Sequence, residues 1–274
     1  MSITTRQRTA QPTPASRTTM LKVGRRRVAA ITAVALGAGA ALVAPVAAGA
    51  PSNSPNNVNT VVSVEGPAGN VLPPMWQWVP KAFGTTTVRD SGGQKVKISQ
   101  KSVAAQSLTA FKEAGIKVDW TYYPAFQAPY IASIAGIKGK GMNGWYFRVN
   151  GIAIPKSAGV VNLGLGDRVV WAWGQEKQSA LDIVNPRTGI APGTAVEPGQ
   201  FATTIEQVTT KGVRTAAAGA TVTYGTATGT TDATGTVVFN TQAGNLLVRA
   251  TKAGMVAATK RVCTIGTSPD CPAS

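Results

Sequence analysis

The sequence contains no histidine, only two cysteines and only 11 acidic residues among 274. Without histidine, a Ser-His-Asp triad, a His-ligated zinc site and the commonest general base are excluded. Two cysteines cannot build a four-thiolate metal site or an iron–sulfur cluster. The sequence also carries neither a Walker phosphate-binding loop nor a G-x-S-x-G nucleophile motif. We therefore expect a protein that is not an enzyme and that holds no metal and no cofactor.

Positive charge is in excess, because 27 lysine and arginine residues give a formal net charge of +16. Part of that excess lies in residues 1–50, which contain no acidic residue. The remaining lysines and arginines are scattered along the chain, whereas nucleic-acid binding calls for clustered cations on a recognisable fold. The sequence therefore predicts no nucleic-acid partner.

Residues 25–50 have the order of a secretory signal, namely a basic segment, an apolar run and then small residues. The apolar run spans roughly 16 residues, which is short for a membrane helix of about 20. We expect cleavage after Ala48, so that residues 1–48 are the signal peptide, with Met20 as an alternative start. The mature chain is then secreted or cell-surface associated with no membrane span; an uncut signal acting as an N-terminal anchor is the alternative.

Cys263 and Cys271 lie close together near the C-terminus. In an exported chain, a disulfide bond between them is the expected state. Its role would be structural, because the sequence lacks the C-x-x-C spacing of redox motifs.

Two aromatic-rich runs, GWYFRVNG at Gly144–Gly151 and GDRVVWAWG at Gly166–Gly174, alternate with a period of two residues. This pattern predicts two paired strands. Trp145, Phe147 and Val149 should share one face of the first strand, and Asn150-Gly151 should form a turn. All six tryptophans lie between positions 76 and 173, that is, within the predicted first domain described below.

The whole chain is predicted to be mainly β with two domains, at residues 60–175 and 201–274. Residues 49–59 are expected to be flexible, and the Pro- and Gly-containing interval 176–200 is expected to be a linker. The first domain should contain strands at Thr60–Glu65, Thr85–Arg89 and Pro129–Ile137 and one helix within Ser99–Gly115. Residues 66–84, with Pro73-Pro74, are expected to form an inserted loop.

The first domain resembles the transcobalamin C-terminal-like family. The resemblance is carried by VVSVEG, by the helix that ends in AGI, by YIASIAG at Tyr130–Gly136 and by the two aromatic runs, and it covers about Thr60–Gly174. It implies a β-grasp fold, a mixed sheet with one helix. It also implies cobalamin as a ligand by family analogy, although the chain lacks the helical domain that completes the site in the vitamin B12 carriers.

The second domain, dense in Thr and Val, alternates at period two with frequent turn residues, which is typical of a small β-sandwich. It resembles the carboxypeptidase-regulatory-like, immunoglobulin-like modules. In that resemblance Asp232-Ala233-Thr234-Gly235 is a hairpin turn and Ala253-Gly254-Met255 stands at the family's second motif.

Two roles remain open for the aromatic residues of the first domain. They either form the core under the helix or provide an exposed platform for a cobalamin-like small ligand, a glycan or an envelope protein. The candidate ligand-binding residues are Trp76, Trp78, Trp145, Tyr146, Asn150 and Trp173. The predicted function is that of an exported binding protein. The alternative is a structural or protein-interaction component of the cell envelope without a small-molecule ligand.

Overall fold

The computed structural model describes residues 57–80, 82–184 and 193–267. The predicted signal peptide, most of the predicted flexible segment and Cys271 lie outside these ranges. Cys263 is buried on the last strand, and its bond to Cys271 stays a prediction.

The described residues are mainly β, with one α-helix and one short 3-10 turn among them. We call residues 57–174 the first module and residues 180–267 the second module. The elements of the first module are β1 (Asn57–Gly66), β2 (Gly69–Pro80), β3 (Thr85–Arg89), β4 (Lys95–Ser99), α1 (Val103–Glu113), β5 (Val118–Tyr123), the 3-10 turn Pro124–Phe126, β6 (Ala128–Ile134), β7 (Ile137–Lys138), β8 (Gly144–Val149), β9 (Ile152–Ala153) and β10 (Arg168–Gly174).

The central sheet of the first module has the strand order β2-β1-β10-β8-β9. Strands β1 and β10 run parallel, whereas the other neighbours are antiparallel. The pairing of β8 with β10 confirms the prediction from the two aromatic runs, and its register places Trp145 opposite Trp173 and Phe147 opposite Trp171. Two small sheets, β3-β4 and β5-β6-β7, complete the module.

Helix α1 begins after Ser102, whose hydroxyl accepts a hydrogen bond from the amide of Ala105 and so caps the first turn. The helix contacts β1, β2 and β4. Its buried Phe111 joins Val62, Val64 and Val169 of the central sheet in one apolar core. One face of the central sheet is therefore covered by the single predicted helix.

The prediction of a loop over residues 66–84 was wrong, because most of this interval is the 12-residue strand β2. Proline has no amide hydrogen to give to a neighbouring strand, so it is tolerated in strands at a sheet edge. Strand β2 occupies such an edge, with β1 as its neighbour in this sheet. The Pro73-Pro74 pair therefore marks an edge strand here and not a loop.

The second module consists of strands in two sheets. They are β11 (Ala180–Ile183), β12 (Gly193–Val196), β13 (Gln200–Val208), β14 (Arg214–Ala216), β15 (Thr221–Tyr224), β16 (Ala227–Thr230), β17 (Thr236–Asn240), β18 (Asn245–Thr251) and β19 (Ala258–Thr264). One sheet joins β11, β13, β14 and β17, and the other has the order β12-β19-β18-β15-β16. The rings of Phe201, Tyr224 and Phe239 meet between the sheets, with Phe201 and Tyr224 at 5.0 Å.

Two details of the second module differ from the sequence expectation. The interval 176–200, predicted as a linker, contains β11 and β12, and Leu181 and Ile183 of β11 belong to the apolar core. Asp232–Gly235 does form a turn, but it joins β16 and β17, which lie in different sheets, and is not a hairpin turn. A strand of four or five residues is too short for its alternation to reveal the sheet that it joins.

Candidate functional site

The tryptophans of β8 and β10 pack on the helix side of the central sheet, and their indole nitrogens are hydrogen-bonded within the first module. Trp145 donates to the carbonyl of Ile137 at 2.7 Å, and Trp171 donates to the hydroxyl of Ser107 at 2.8 Å. Trp173 is half-buried and donates to the carbonyl of Lys138 at 3.2 Å. Two of the three are fully part of the core, so their contacts are those of structural residues.

Asn150 also has a structural set of contacts. Asn150 and Gly151 both have positive φ, 54° and 81°, as a tight type I′ turn between β8 and β9 requires. The Asn150 amide donates to the Asp167 carboxylate at 2.8 Å, and its oxygen accepts from the amide of Arg168 at 3.0 Å. The side chain thereby ties this turn to the start of β10. Tyr146, half-buried, lies on the opposite side of β8 from Trp145.

Trp76 and Trp78 lie on the edge strand β2, opposite Val61 and Asn59 of β1. Both are half-buried, and neither is among the side chains packed on the main core of the first module. The Trp76 indole nitrogen is buried and has no acceptor among the described residues. These two indoles therefore remain apart from the three on β8 and β10.

The six predicted ligand-binding residues are thus distributed over both faces of the central sheet and over one turn. Two cavities lie between the modules, and one of the six residues lines each of them. A cavity of about 310 Å³ includes Trp173 together with Glu65, Arg249 and Met255. A second, more open cleft of about 420 Å³ includes Asn150. The structure does not bring the six residues together at one site.

An exposed aromatic surface occurs elsewhere on the first module, at the connection between β5 and β6. Tyr123, Phe126 and Tyr130 expose 48%, 76% and 57% of their surface, and we call these three residues the aromatic hairpin. The rings of Tyr123 and Tyr130 meet edge to face at 6.4 Å. Sequence reasoning missed this surface, although the run TYYPAFQAPY contains four aromatic residues and two prolines within ten positions.

The aromatic hairpin is held in place by its own turn and by a neighbouring loop. The 3-10 turn Pro124–Phe126 ends at Gln127, which has a positive φ of 46°. The Ser157 hydroxyl donates to the Gln127 carbonyl at 2.9 Å, and a side chain at Gly159 would collide with that same carbonyl. The exposed rings are therefore presented on a supported turn.

The two modules meet through charged groups, many of which are buried. Glu65, 3% exposed, pairs with Arg249 at 3.3 Å and accepts a hydrogen bond from Thr259. Arg148, 2% exposed, donates to the carbonyl of Gln178, and its burial lowers the pKa of its guanidinium group. A small apolar cluster of Ala172, Ala180 and Val256 lies among these contacts.

The second cleft is lined by four charged side chains. Asp182 pairs with Arg168 at 2.8 Å and with Arg214 at 2.7 Å, and Glu206 also pairs with Arg214 at 3.0 Å. The hydrogen bonds from Arg214 to these two carboxylates raise its pKa. Burial, followed by the positive charge of Arg168, lowers the pKa of Lys260 from 10.5 to about 8, while the negative charge of Asp182 opposes the change.

Removing the central carboxylate of this group should loosen the junction. We expect Asp182→Ala to lower the free energy of unfolding by about 2 kcal/mol, because it leaves two arginines without their shared partner. The loss stays below the 3–5 kcal/mol for a fully buried pair because both arginines keep contact with water. Glu206→Ala, which removes one more exposed partner, should cost under about 1 kcal/mol. Urea denaturation checks both, and equal losses in the two variants would contradict the central role of Asp182.

No group of three or more potential metal-ligating side chains occurs among the described residues. Within the same residues, no helix is long and apolar enough to cross a membrane.

Residues 103–175 match the family described as Domain of unknown function (DUF4430), a transcobalamin-like family. The match extends from the start of α1 through β10, so it covers the aromatic hairpin and both aromatic runs. It supports the resemblance inferred from the sequence for this part of the first module and does not reach the second module. A search of curated proteins gave no match.

Proposed function

We propose that this chain is an exported, non-enzymatic binding protein that engages a protein partner of the cell envelope through the aromatic hairpin. The observation that carries the proposal is the exposure of three neighbouring aromatic side chains on one supported turn. Exposed aromatic rings are costly in water, and Tyr and Phe are enriched where proteins meet partners.

The shape of this surface favours a protein partner over a small molecule. The rings project from the end of a strand pair, whereas small-molecule sites are concave and enclose most of the ligand. Aromatic side chains also lose little conformational freedom on binding, since each has only two side-chain torsions. A projecting turn with rigid rings therefore suits insertion into a partner's groove.

A cobalamin-like or glycan ligand is the second candidate, because Trp173 and Met255 line the cavity of about 310 Å³ between the modules. That volume is at the lower end of the range for sites of drug-sized ligands. The structural role, in which the chain serves only as a spacer, is the alternative that would leave the exposed rings unexplained.

The fold assignments that accompany this proposal are a β-grasp first module and an immunoglobulin-like second module. The first is supported by α1 packed on one face of a mixed sheet whose central strands β1 and β10 are parallel. The second is supported by two sheets that enclose one apolar core. Export and a secreted or cell-surface location are part of the proposal, supported by the signal-like order of residues 1–48.

The proposal predicts a position-specific crosslink in the cells that produce the protein. The full chain is made with a photoreactive benzoylphenylalanine in place of Phe126 and is irradiated in whole cells. We expect a discrete crosslinked protein band, because the side chain at this position would lie inside the interface. The measurement is the mass shift of the chain on a denaturing gel.

The matched control places the same photoreactive residue at Val238, which is 57% exposed on the second module. Tyr123→Ala and Tyr130→Ala, introduced together into the Phe126 crosslinking variant, should remove the band without affecting folding, since both rings are exposed. An equal band from positions 126 and 238, or no band from position 126, would contradict the proposal. Titration of the purified mature chain with cobalamins and glycans tests the second candidate separately.

A further inference from the structure

We propose that the cleft between the modules lined by Arg168, Arg214 and Lys260, here called the cationic cleft, binds a small tetrahedral oxyanion such as a phosphate group. The lining also includes Asn150, Gly166, Asp182 and Val184, so that both modules contribute to it. This site is separate from the aromatic hairpin and does not depend on the function proposed for that surface.

The first argument is the balance of charge on the walls of the cleft. Three cations and one carboxylate, Asp182, line it. Two further carboxylates lie nearby: Glu206 pairs with Arg214 and offsets part of its charge, and Asp167 accepts from the Asn150 amide and the Gly164 amide. The lining itself therefore carries an excess of positive charge that an oxyanion would offset.

The second argument is the orientation of the two guanidinium groups. Asp182 lies between Arg168 and Arg214 and holds both by hydrogen bonds, and the Arg214 group also donates to the Asn150 carbonyl at 2.9 Å. Both arginine side chains remain about one-third exposed. Among the described residues, Arg168 uses only its Nη2 in hydrogen bonds, so its Nε and Nη1 have no protein acceptor. Such N–H groups match the oxygens of a tetrahedral anion.

The third argument is the position of Lys260 at the base of the cleft. The side chain is 5% exposed, and its ammonium group is close enough to Arg168 and Asp182 to interact with both. Burial of a cation next to another cation is unfavourable, and the lowered pKa of about 8 expresses that cost. A bound anion would oppose both effects, so its binding and the protonation of Lys260 should favour each other.

Sulfate is the first probe, because its charge does not change between pH 7 and pH 10. The purified mature chain is titrated with sulfate at constant ionic strength set with chloride, and the Nε–Hε signals of Arg168 and Arg214 are followed by NMR. We expect saturable shifts at pH 7 and roughly tenfold weaker binding in Lys260→Met, since a charged hydrogen bond is lost. Lys211→Met, which removes an exposed cation of the second module, should leave the dissociation constant unchanged.

The pH dependence supplies an independent readout. In the wild-type chain, sulfate affinity should fall as pH rises through the pKa of Lys260, and it should approach that of Lys260→Met by pH 9.5. The variant itself should show a flat profile over the same interval. In the wild-type chain, sulfate should also raise the pKa of the Lys260 ammonium, as followed by its own NMR signals. This last measurement needs no variant and stands even if Lys260→Met fails to fold.

Three comparisons complete the test. The first identifies the source of the anion, and the other two could overturn the proposal. Tighter binding of glycerol 3-phosphate than of inorganic phosphate would assign the phosphate to a larger organic ligand, and the reverse would assign it to the free ion. Acetate binding as tightly as phosphate would overturn the assignment of a tetrahedral anion. Shifts that do not saturate, or equal effects of Lys260→Met and Lys211→Met, would show non-specific ionic screening only and overturn the site. None of these outcomes bears on the crosslink expected at position 126.

Discussion

Replacing Trp171 by alanine is expected to lower the free energy of unfolding by about 4 kcal/mol, in the range found for large aromatic residues in protein cores. The indole is 3% exposed, packs at 5.5 Å from the ring of Phe147 and donates to the hydroxyl of Ser107 on α1. The substitution leaves a cavity between the sheet and its helix and removes one partner of a buried hydroxyl. Urea denaturation followed by far-ultraviolet circular dichroism measures the loss.

The control for this variant is Trp78→Ala, which removes an indole of the same size outside the main core. Trp78 is half-buried on the edge strand β2, so we expect a loss of about 1 kcal/mol. A Trp171→Ala chain as stable as Trp78→Ala would show that the helix does not depend on Trp171. It would then reopen the possibility that the aromatic residues of β10 are available to a ligand.

Replacing Gly235 by alanine is expected to cost about 3 kcal/mol or more in the second module. Gly235 has a φ of +78°, and a Cβ atom there would lie 2.5 Å from the Ile205 carbonyl oxygen and 3.1 Å from the Ala217 amide nitrogen. These two backbone groups are hydrogen-bonded to each other at 2.9 Å. The added methyl group must therefore displace β13 or the segment after β14, in addition to the 1–2 kcal/mol cost of the left-handed backbone.

Gly219 provides a control that isolates the steric part of this effect. Its φ is +70°, but a Cβ atom there would have no neighbour within 4 Å. Gly219→Ala should thus lower the free energy of unfolding only by the cost of the left-handed backbone conformation, roughly 1–2 kcal/mol. Thermal unfolding of both variants gives the comparison. If Gly235→Ala and Gly219→Ala lose the same stability within error, the close approach of Gly235 to β13 does not contribute to the loss.

The sequence was most informative in the two aromatic-rich runs of six or seven residues, where large side chains recur at every second position. The runs that became β8 and β10 show their pairing, their shared aromatic face and the Asn150-Gly151 turn without any knowledge of the rest of the chain. Each of these properties depends on local periodicity or on a dipeptide preference, which a sequence displays directly.

The roles of Trp76 and Trp78 could not be predicted, because they depend on the position of a strand within its sheet. The same Pro73-Pro74 pair is compatible with a loop and with an edge strand, and only the sheet order distinguishes them. The aromatic hairpin escaped prediction for a related reason. Exposure of Phe126 depends on which segments pack against the turn. The loop that supports the turn, at residues 157–160, is distant in sequence and leaves the ring exposed.

The contacts between the two modules also could not be predicted from the sequence. Glu65, Arg148 and Asp182 are buried charges whose partners, where these are side chains, lie up to 194 positions away. In the sequence each looks like an ordinary polar residue of a half-exposed strand. Burial of these charges becomes understandable only once both modules are in place.

The parallel pairing of β1 with β10 has a consequence for the order in which the chain can fold. Strand β1 lies inside the central sheet, yet its register partner for Val62 is Val169, more than a hundred residues later. Contacts between such distant segments form slowly, because a long loop must close before they stabilise anything. A chain emerging N-terminus first cannot complete this sheet until β10 has been made. Under the export that we propose, the late synthesis of β10 would keep the central sheet incomplete, and so delay folding, until most of the first module has been made.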